Sequence, residues 1–409
     1  SSVQEPSYRM AQSFPKVHGY RPKTPIDYRG RYHIMKDAFG LIISGNEEQE
    51  LRDLTMIRSI AAVPIAGRYR VIDFYLSNLV NSGVNNVGVI TYRNYHSLMD
   101  HISGGVEWDL SRKRDGLFIL PPMGQSATSH AFYNGTAEAI NGVRNYISRC
   151  AQNICILHTD CRTIYNTQYY EAYDAHIASG ADITVMHNTS PDGTRPSSKD
   201  EIRLTVDEDG NVTDMFRNNT YKKSEQVCMD VFFVNKTTLL RLVDNCIMKG
   251  GTDFIQDILV PNLALLNVRG YHYTKPAYKI DTLEGYFKTN LAFLDSETRY
   301  QLLESDGPVY TKVKDEVPAR YSKASKVANS LVTDGGVIEG SVENSLLFRG
   351  VHVAKGAVIK NCIIMQECQI QANAILENVI LDKKCTILRG RRMVGTETYP
   401  MVVTKGSTI

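Results

Sequence analysis

Residues 41–74 read LIISGNEEQELRDLTMIRSIAAVPIAGRYRVIDF, and this stretch decides how the first half of the chain folds. The apolar run at 37–44 predicts a buried parallel strand, which leads into a loop at Gly45. A loop that cradles phosphates combines glycines, inward N–H groups and positive charge. This loop instead carries carboxylates at Glu47, Glu48 and Glu50. The charge of this loop therefore predicts that it repels phosphate.

The glutamates of this loop make nucleotide binding costly. A carboxylate about 4 Å from a phosphate costs roughly 4 kcal/mol at an effective dielectric constant near 20. One such contact weakens nucleotide binding by roughly three powers of ten. Two other interpretations stay open. The segment is an ordinary surface loop, or a nucleotide binds in a pose that avoids it.

Strand and helix patterns alternate after this loop. Short apolar runs at 84–91, 153–160 and 181–188 predict strands, and the segments between them show helical periodicity. A polar hairpin at 202–216 turns at Asp209-Gly210. The alternation predicts an α/β domain with a doubly wound, mostly parallel sheet of the nucleotide-binding type.

The last part of the chain, from about 329, repeats aliphatic residues at intervals of six with occasional fives. This spacing predicts a hexapeptide-repeat, left-handed parallel β-helix in which each short strand buries one aliphatic side chain. One coil cannot bury its face alone, so several must stack. A β-sandwich of short strands is the alternative. The repeating residues are Leu347, Val353, Ile359, Ile364, Ile370, Leu376, Leu381 and Ile387.

The composition is that of a soluble globular protein. The 409 residues are 43% hydrophobic and 22% charged, with a formal net charge of +2. This charge favours neither nucleic-acid nor membrane partners. No apolar run reaches the ~18 residues of a membrane span and no secretory signal is visible, so we expect a cytoplasmic protein. Eight scattered cysteines without a CxxC pair predict reduced thiols and no metal site.

Further motifs follow the first one in a fixed order. They are SNLVNSGVNNVGVIT (77–91), HSLMDHI (96–102), FYNGTAEAI (132–140), DFIQDILVP (253–261) and DTLEGYFKTNLAFLD (281–295). With residues 41–74, they resemble the ADP-glucose pyrophosphorylase (glucose-1-phosphate adenylyltransferase) family over about residues 37–390. The resemblance implies a nucleotidyltransferase-like domain followed by the β-helix. In active members it implies synthesis of ADP-glucose and diphosphate from ATP and glucose 1-phosphate with Mg²⁺.

The resemblance divides the chain into four parts. Residues 1–34, rich in Gln, Ser, Pro and Tyr, are interpreted as an N-terminal extension, natural or introduced for expression. The nucleotidyltransferase-like domain is expected at 35–300. A linker at 301–328 then leads to the β-helix at 329–409.

The chain departs from the family pattern where the family's chemistry is expected. At seven positions the resemblance implies one residue and this chain carries another. Asn46 and Glu48 replace phosphate-loop glycines, Glu50 replaces an arginine and Ile60 replaces a lysine. Tyr92 replaces a glutamine that reads adenine, Asn219 replaces a lysine that binds the sugar phosphate, and Lys279 replaces an aspartate that binds the metal. A cation in place of a metal ligand repels Mg²⁺. We therefore expect no catalytic residues, no metal and no cofactor in this chain.

The pattern resembles the non-catalytic, regulatory D-type subunit of glycogen synthesis in Firmicutes. That resemblance implies an inactive subunit that modulates a catalytic partner in a heterotetramer. The alternative is an active nucleotidyltransferase with a remodelled phosphate loop. Its residual substrate pocket would then consist of Gly45, Tyr92, Gly135, Thr136, Glu138 and Asp160.

Arginines suggest a site for a phosphorylated-metabolite effector, because the guanidinium fork suits phosphate and carboxylate. In the family, anionic effectors bind near the junction of the two domains. The alternative is that these arginines are solvated or form structural ion pairs. The candidate residues are Arg58, Arg68, Arg70, Arg389 and Arg391.

Overall fold

The computed structural model describes residues 35–45, 51–92, 94–122, 133–191, 193, 198–217 and 222–409. The predicted extension at 1–34 lies outside these residues, as do four positions of the predicted degenerate site. Those four are Asn46, Glu48, Glu50 and Asn219.

The first domain is built on short strands joined by helices. Its strands are β1 Ala38–Ile43, β2 Pro64–Ile65, β3 Tyr69–Arg70, β4 Asn86–Ile90, β5 Gly116–Leu120, β6 Ile154–His158, β7 Thr163–Ile164, β8 Ile183–Thr189, β9 Ile202–Val206, β10 Val212–Arg217, β11 Gln226–Asn235, β12 Val268–His272 and β13 Tyr278–Lys279.

The main sheet of this domain is mixed, with a parallel centre. Its order among the described residues is β10-β9-β11-β6-β1-β4-β5, and β8 pairs with both β11 and β12. Strands β6, β1, β4 and β5 run parallel, whereas β11 is antiparallel to β6. All six residues of β1 are buried, which explains the unbroken apolar run that the sequence shows there. The predicted doubly wound sheet is confirmed, as a mixed sheet whose centre is parallel.

Helices cover this sheet and close the domain. They are α1 Arg52–Thr55, α2 Val71–Asn81, α3 His96–Ile102, α4 Thr136–Gly142, α5 Arg144–Arg149, α6 Tyr170–Ser179, α7 Lys236–Met248, α8 Val260–Asn262, α9 Leu283–Ala292 and α10 Ser296–Leu303. A π-helix spans Phe254–Leu259. The residue before it, Asp253, caps the helix, because its side chain accepts hydrogen bonds from two N–H groups of the first turn. No described helix has the length and apolarity that crossing a bilayer requires.

The second domain is a solenoid of three parallel sheets. The first sheet, here called the histidine face, contains β14 Arg320–Tyr321, β17 Val337–Ile338, β20 His352–Val353, β23 Gln369–Ile370 and β26 Thr386–Ile387. The second, the open face, contains β15 Lys326–Ala328, β18 Ser341–Glu343, β21 Val358–Lys360, β24 Ile375–Glu377 and β27 Arg392–Val394. The third, the docked face, contains β16 Leu331–Val332, β19 Leu346–Leu347, β22 Ile363–Ile364, β25 Val379–Leu381 and β28 Met401–Val403.

The repeating aliphatic residues point into the solenoid. All eight predicted residues, from Leu347 to Ile387, belong to one buried cluster. The left-handed β-helix is therefore confirmed, and the β-sandwich alternative is excluded by the three parallel sheets. Asparagines turn one corner of successive coils with left-handed backbones, at Asn344 (φ 47°), Asn361 (φ 50°) and Asn378 (φ 52°). Asparagine tolerates this conformation better than most residues, so its recurrence marks the corner.

The first coil begins earlier than the sequence predicted. Strand β14, at Arg320–Tyr321, lies within the segment 301–328 that was interpreted as a linker. Strand β15, at Lys326–Ala328, is exposed along its whole length. This terminal coil buries few aliphatic side chains, so the period that reveals the later coils is absent from its sequence.

The docked face packs on the first domain. Its outward residues Ile363 and Ile380 are fully buried and share one core cluster with Leu54 and Ile65 of the first domain. Leu331, at the start of this face, packs against the same cluster. The two domains therefore share one continuous apolar core. All eight cysteines are buried and carry free thiols.

Candidate functional site

The candidate pocket lies where the parallel strands of the first domain end. Gly45 follows β1, Tyr92 follows β4 and Asp160 follows β6. Because the carboxyl ends of neighbouring parallel strands form a shared crevice, these residues come close together. Gly45 has φ +73°, and a Cβ added there would lie 2.6 Å from Cγ2 of Ile60 and 3.2 Å from Oδ1 of Asp160. The buried Ile60 therefore packs directly against the retained glycine.

The carboxylate of Asp160 is engaged on both oxygens. Its Oδ2 lies 2.6 Å from Nε of Arg162, and its Oδ1 accepts a hydrogen bond from the N–H of Cys161 at 2.6 Å. Both charged side chains are largely buried, with exposures of 19% for Arg162 and 14% for Asp160. Arg162 was not among the site residues predicted from the sequence. Its position two residues after Asp160 was the available signal.

Lys279 brings a second cation to the same place. Strand β13 pairs antiparallel with β7, which puts Lys279 opposite Thr163 and beside Arg162. The ammonium of Lys279 donates a hydrogen bond to the carbonyl of Cys228 at 3.3 Å. The position at which the family resemblance implies a metal-binding aspartate is thus filled by an ammonium that the backbone holds.

Asp230 is a further acid that sequence analysis missed. Its backbone is left-handed, with φ +59°, which is uncommon for a non-glycine residue. The pKa of Asp230 is raised, chiefly by burial. The positive charge of Lys279 lowers this pKa, and the negative charge of Asp160 raises it. Asp160, Arg162, Asp230 and Lys279 therefore form one electrostatic unit, here called the charge cluster.

The charge cluster does not fit a divalent cation. Mg²⁺ prefers several oxygen ligands with net negative charge. Here Asp160 contacts Arg162 at 2.6 Å, and the positive charge of Lys279 acts on Asp230. Within the described ranges, no group of three His, Cys, Asp or Glu side chains is arranged to hold a metal ion.

Three of the predicted pocket residues, Gly135, Thr136 and Glu138, lie at the start of α4. Oγ1 of Thr136 accepts a hydrogen bond from the N–H of Phe254 at 2.8 Å and lies 3.3 Å from Oδ2 of Asp253. Glu138 accepts a hydrogen bond from the N–H of Asn134 at 2.7 Å. A Cβ at Gly135 would lie 2.4 Å from the carbonyl oxygen of Thr252, so only glycine fits between these two backbone segments.

Tyr92 is a buried aromatic side chain near Asp160. It is 5% exposed and meets Tyr133 edge to face, with ring centroids 5.7 Å apart. Burial and the nearby Asp160 raise the pKa of Tyr92, so its phenol stays protonated. The family resemblance implies a glutamine at this position, whose side-chain amide reads the edge of adenine. Tyr92 places a buried, neutral phenol there instead.

The predicted effector arginines do not form one site. Arg58 is buried against Asp382 of the solenoid, with its Nη2 at 2.9 and 2.7 Å from the two carboxylate oxygens. Arg70 donates to the carbonyl of Ser97 at 2.5 Å, and burial lowers the pKa of Arg70 to about 10. The guanidinium of Arg68 lies 5.8 Å from the ring centroid of Tyr69.

The other two predicted arginines lie elsewhere on the solenoid. Arg389 and Arg391 are exposed on the turn between β26 and β27. Asp382 lies on a different turn, the one between β25 and β26. In a triangular coil these turns are separate corners, which is why residues close in sequence do not converge on Arg58.

Lys383 joins Arg58 and Arg70 instead. Burial lowers the pKa of Lys383 to about 7, and the neighbouring positive charges of Arg70, Arg58 and Lys405 lower it as well. Arg58, Arg70, Lys383 and Lys405 are here called the interdomain cation cluster. Nη1 of Arg58 is buried and has no hydrogen-bond partner among the described residues. The two lysines were missed because they are isolated in the sequence and meet the arginines only when the domains dock.

Comparisons with known proteins agree with both halves of the fold. Residues 39–263 match the Nucleotidyl transferase family, and residues 315–399 match the GlmU-like, C-terminal hexapeptide family. The chain is 36% identical to the "Glycogen biosynthesis protein GlgD" of Bacillus subtilis (strain 168), over 90% of this chain and 95% of that relative. It is 34% identical to the protein of the same name from Geobacillus stearothermophilus, over 90% of this chain and 96% of the relative. It is 31% identical to the "Glucose-1-phosphate adenylyltransferase" of Geobacillus stearothermophilus, over 80% of this chain and 84% of the relative.

Proposed function

The chain belongs to the glucose-1-phosphate adenylyltransferase family of nucleotidyl transferases, and from that premise we propose that it is a non-catalytic subunit of glycogen biosynthesis. In this proposal it binds a catalytic relative in a hetero-oligomer and modulates the activity of that relative. The role in glycogen biosynthesis rests on the names of two relatives that are 36% and 34% identical to this chain. We further propose that the protein works in the cytoplasm, without a metal or cofactor of its own.

The observation that carries the proposal is the charge cluster. A nucleotidyl transfer with Mg²⁺ requires free carboxylates for the metal and positive charge for the phosphates. The carboxylate of Asp160 is instead neutralised at 2.6 Å by Arg162, and the ammonium of Lys279 is held beside Asp230. Ile60 fills the space beside Gly45 with an alkyl group. These features support a pocket that holds itself together without substrate.

The direct test is an assay of the purified full-length chain. With ATP, glucose 1-phosphate and Mg²⁺, we expect diphosphate release at least about a thousandfold below that of an active relative, the loss that corresponds to roughly 4 kcal/mol. Turnover within tenfold of the active relative would show that the chain is an enzyme.

A reconstituted complex tests the modulating role. Co-expression with a catalytic subunit is expected to change the rate or substrate affinity of that subunit. The matched control is the same complex with a catalytically inactivated partner, which should show no turnover. Activity that survives in this control would have to come from the chain itself and would contradict the proposal.

The interdomain cation cluster supports a second part of the proposal, which is regulation by a phosphorylated metabolite. Arg58, Arg70 and Lys383 meet where the two domains join, so an anion bound there would contact both domains. Nη1 of Arg58, which has no hydrogen-bond partner among the described residues, and the ammonium form of Lys383 are suited to a phosphate group. Arg389 and Arg391 lie on another corner and are left out of this proposed site.

The alternative function is an active sugar-phosphate nucleotidyltransferase with a remodelled loop. One observation favours it: the wall formed by Thr136 and Asp253 is polar and preorganised, with 3.3 Å between Oγ1 and Oδ2. A thermal-shift panel of nucleotides and sugar phosphates distinguishes the two functions. A ligand at 100 times its dissociation constant stabilises a protein by about 2.7 kcal/mol. Two results together would establish the alternative. One is thermal stabilisation by a nucleotide or sugar phosphate that disappears in Thr136→Val, and the other is turnover in the diphosphate-release assay.

A further inference from the structure

The open face of the solenoid is a flat parallel sheet with aliphatic residues at its centre. Its outward residues form two columns, one from the first residue of each strand and one from the third. The first column is Lys326, Ser341, Val358, Ile375 and Arg392. The second column is Ala328, Glu343, Lys360, Glu377 and Val394.

The centre of this face is apolar and exposed. Val358 is 41% exposed and Ile375 is 37% exposed, and the two residues are neighbours on β21 and β24. The docked face, in the same solenoid, buries its equivalent residues Ile363 and Ile380 completely. Side chains of this kind on a flat sheet are typical of a surface that a partner covers.

The charged residues of the open face also lack partners. Neither Lys360 nor Glu377 forms an ion pair within the described residues, although they are neighbours in register. On the histidine face, by contrast, His352 contacts Gln369 at 3.2 Å and Glu339 at 3.7 Å. His352 thus has side-chain partners within the chain, whereas Lys360 and Glu377 form no ion pair among the described residues.

We propose that the open face binds the open face of a second copy of this chain. The two copies pack face to face about a two-fold axis that runs parallel to the strands, between β21 and β24. Across this axis the coils of the second copy run in the opposite order, and each column of one copy lies on the same column of the other copy. Val358 of one copy then lies on Ile375 of the other, and Lys360 lies on Glu377. Each contact occurs twice, as an isologous interface requires.

Charge selects this register over its neighbours. Moving the axis onto β21 places Lys360 on Lys360 and Glu343 on Glu377, so like charges meet. An axis along the solenoid instead stacks Val358 on Lys360 and Ile375 on Glu377, which buries charge against aliphatic groups. The proposed register is the one that pairs aliphatic with aliphatic and positive with negative at the centre of the face.

The contact is small. Five strands at a spacing of about 4.8 Å span about 20 Å, so the face buries less than the roughly 800 Å² per partner of a typical stable complex. The pairing is therefore weak in isolation and acts together with the contacts of a larger assembly. A hetero-oligomer with two copies of this chain would bring two open faces into one particle.

A charge swap tests the proposal on the full chain. Sedimentation velocity over a range of concentrations is expected to show reversible self-association. Lys360→Glu and Glu377→Lys should each weaken it by about tenfold, because two symmetric ion pairs become repulsive. The double variant, Lys360→Glu with Glu377→Lys, should restore it. The matched control is Lys384→Glu, which removes the 3.5 Å pair with Glu367 on a different corner and should leave self-association unchanged.

Cross-linking tests the register independently. Ser341 of one copy faces Arg392 of the other, whereas two Ser341 residues are three coils apart, about 14 Å. A short bis-maleimide should therefore join a mixture of Ser341→Cys and Arg392→Cys chains, and neither variant alone. A monomer at every concentration, a double variant as weak as the single ones, or efficient cross-linking of Ser341→Cys with itself would overturn the proposal. Cross-links that form only to a co-expressed catalytic subunit would assign the face to that subunit and overturn it equally.

Discussion

Nη2 of Arg58 contacts both carboxylate oxygens of Asp382, at 2.9 and 2.7 Å, across 324 positions of the sequence. The two side chains are 2% and 1% exposed. Arg58 lies between α1 and β2 of the first domain, and Asp382 belongs to the last turns of the solenoid. The pair therefore couples the geometry of the candidate pocket to that of the β-helix.

Breaking this pair is expected to destabilise the protein strongly. Arg58→Gln leaves a buried carboxylate without compensation, which costs about 3–5 kcal/mol. Urea unfolding at constant pH, followed by tryptophan fluorescence and circular dichroism, measures this loss. The double variant Arg58→Met with Asp382→Leu should recover most of the stability, because both charges are then removed. An Arg58→Gln protein as stable as wild type would mean that the pair is hydrated in solution.

Anion binding at the interdomain cation cluster is expected to depend on pH. Lys383 has a pKa lowered to about 7, so its ammonium loses its proton as the pH rises through this value. Between about pH 6 and pH 8 the charged fraction falls about tenfold, and the affinity for inorganic phosphate or sulfate should fall with it, by at most that factor. Titration followed by differential scanning fluorimetry measures the change. Lys383→Met should bind weakly at both pH values, whereas Lys384→Met, one residue along the chain, should behave as wild type.

The same lysine makes a prediction for stability. The folded pKa of Lys383 is about 7 and its ordinary value is 10.5, so the unfolded chain binds more protons between these two values. The contribution of Lys383 to the free energy of unfolding therefore rises with pH across this window. Comparing the pH dependence of wild type with that of Lys383→Met isolates the contribution. A falling difference between about pH 7 and pH 10 would contradict the lowered pKa.

Replacing the cation of the charge cluster should create a metal site. Lys279→Asp adds a third carboxylate beside Asp160 and Asp230, and we expect Mn²⁺ to bind at least about tenfold more tightly than to wild type. Lys279→Met is the control, because it removes the cation without adding a ligand and should give a smaller gain. Electron paramagnetic resonance of Mn²⁺ measures free and bound metal. Equal binding by the two variants would show that Asp230 and Asp160 are too far from residue 279 to share an ion.

The solenoid offers a paired test of burial. Ile364 points into the core and is fully buried, whereas Ile375 lies on the open face at 37% exposure. Ile364→Ala should lower the free energy of unfolding by about 2–5 kcal/mol through lost burial and a cavity. Ile375→Ala should change it by no more than about 0.5 kcal/mol. Chemical denaturation of both variants checks the difference, and equal losses would mean that coils have slipped in register.

The sequence predicted those features that depend on local pattern. The aliphatic period placed Leu347 and Ile387 correctly because each coil of a solenoid repeats the same inward position. The family resemblance placed Gly45 and Asp160 in one pocket, and the structure explains why they meet, since neighbouring parallel strands end at one edge of the sheet. The buried strand β1 was visible as an unbroken apolar run.

Features that arise from distant parts of the chain were missed. Lys383 and Asp382 join Arg58 only through domain docking, and no local pattern marks them.

Two features were also missed for local reasons. The partner of Asp160 was overlooked although Arg162 lies two residues away, because a short spacing alone does not reveal which side chains face each other. The first solenoid coil escaped detection because a terminal coil has few inward aliphatic residues to repeat.

The shared apolar core also has a consequence for biosynthesis. The first domain leaves the ribosome before the solenoid has been translated, at about 5–20 residues per second. Until Ile363 and Ile380 arrive, the surface that they cover in the finished protein has nothing to pack against. The nascent chain therefore exposes an apolar surface for several seconds, and holdase chaperones bind exposed apolar surface. Nonsense mutations late in the message should yield aggregates rather than a soluble first half.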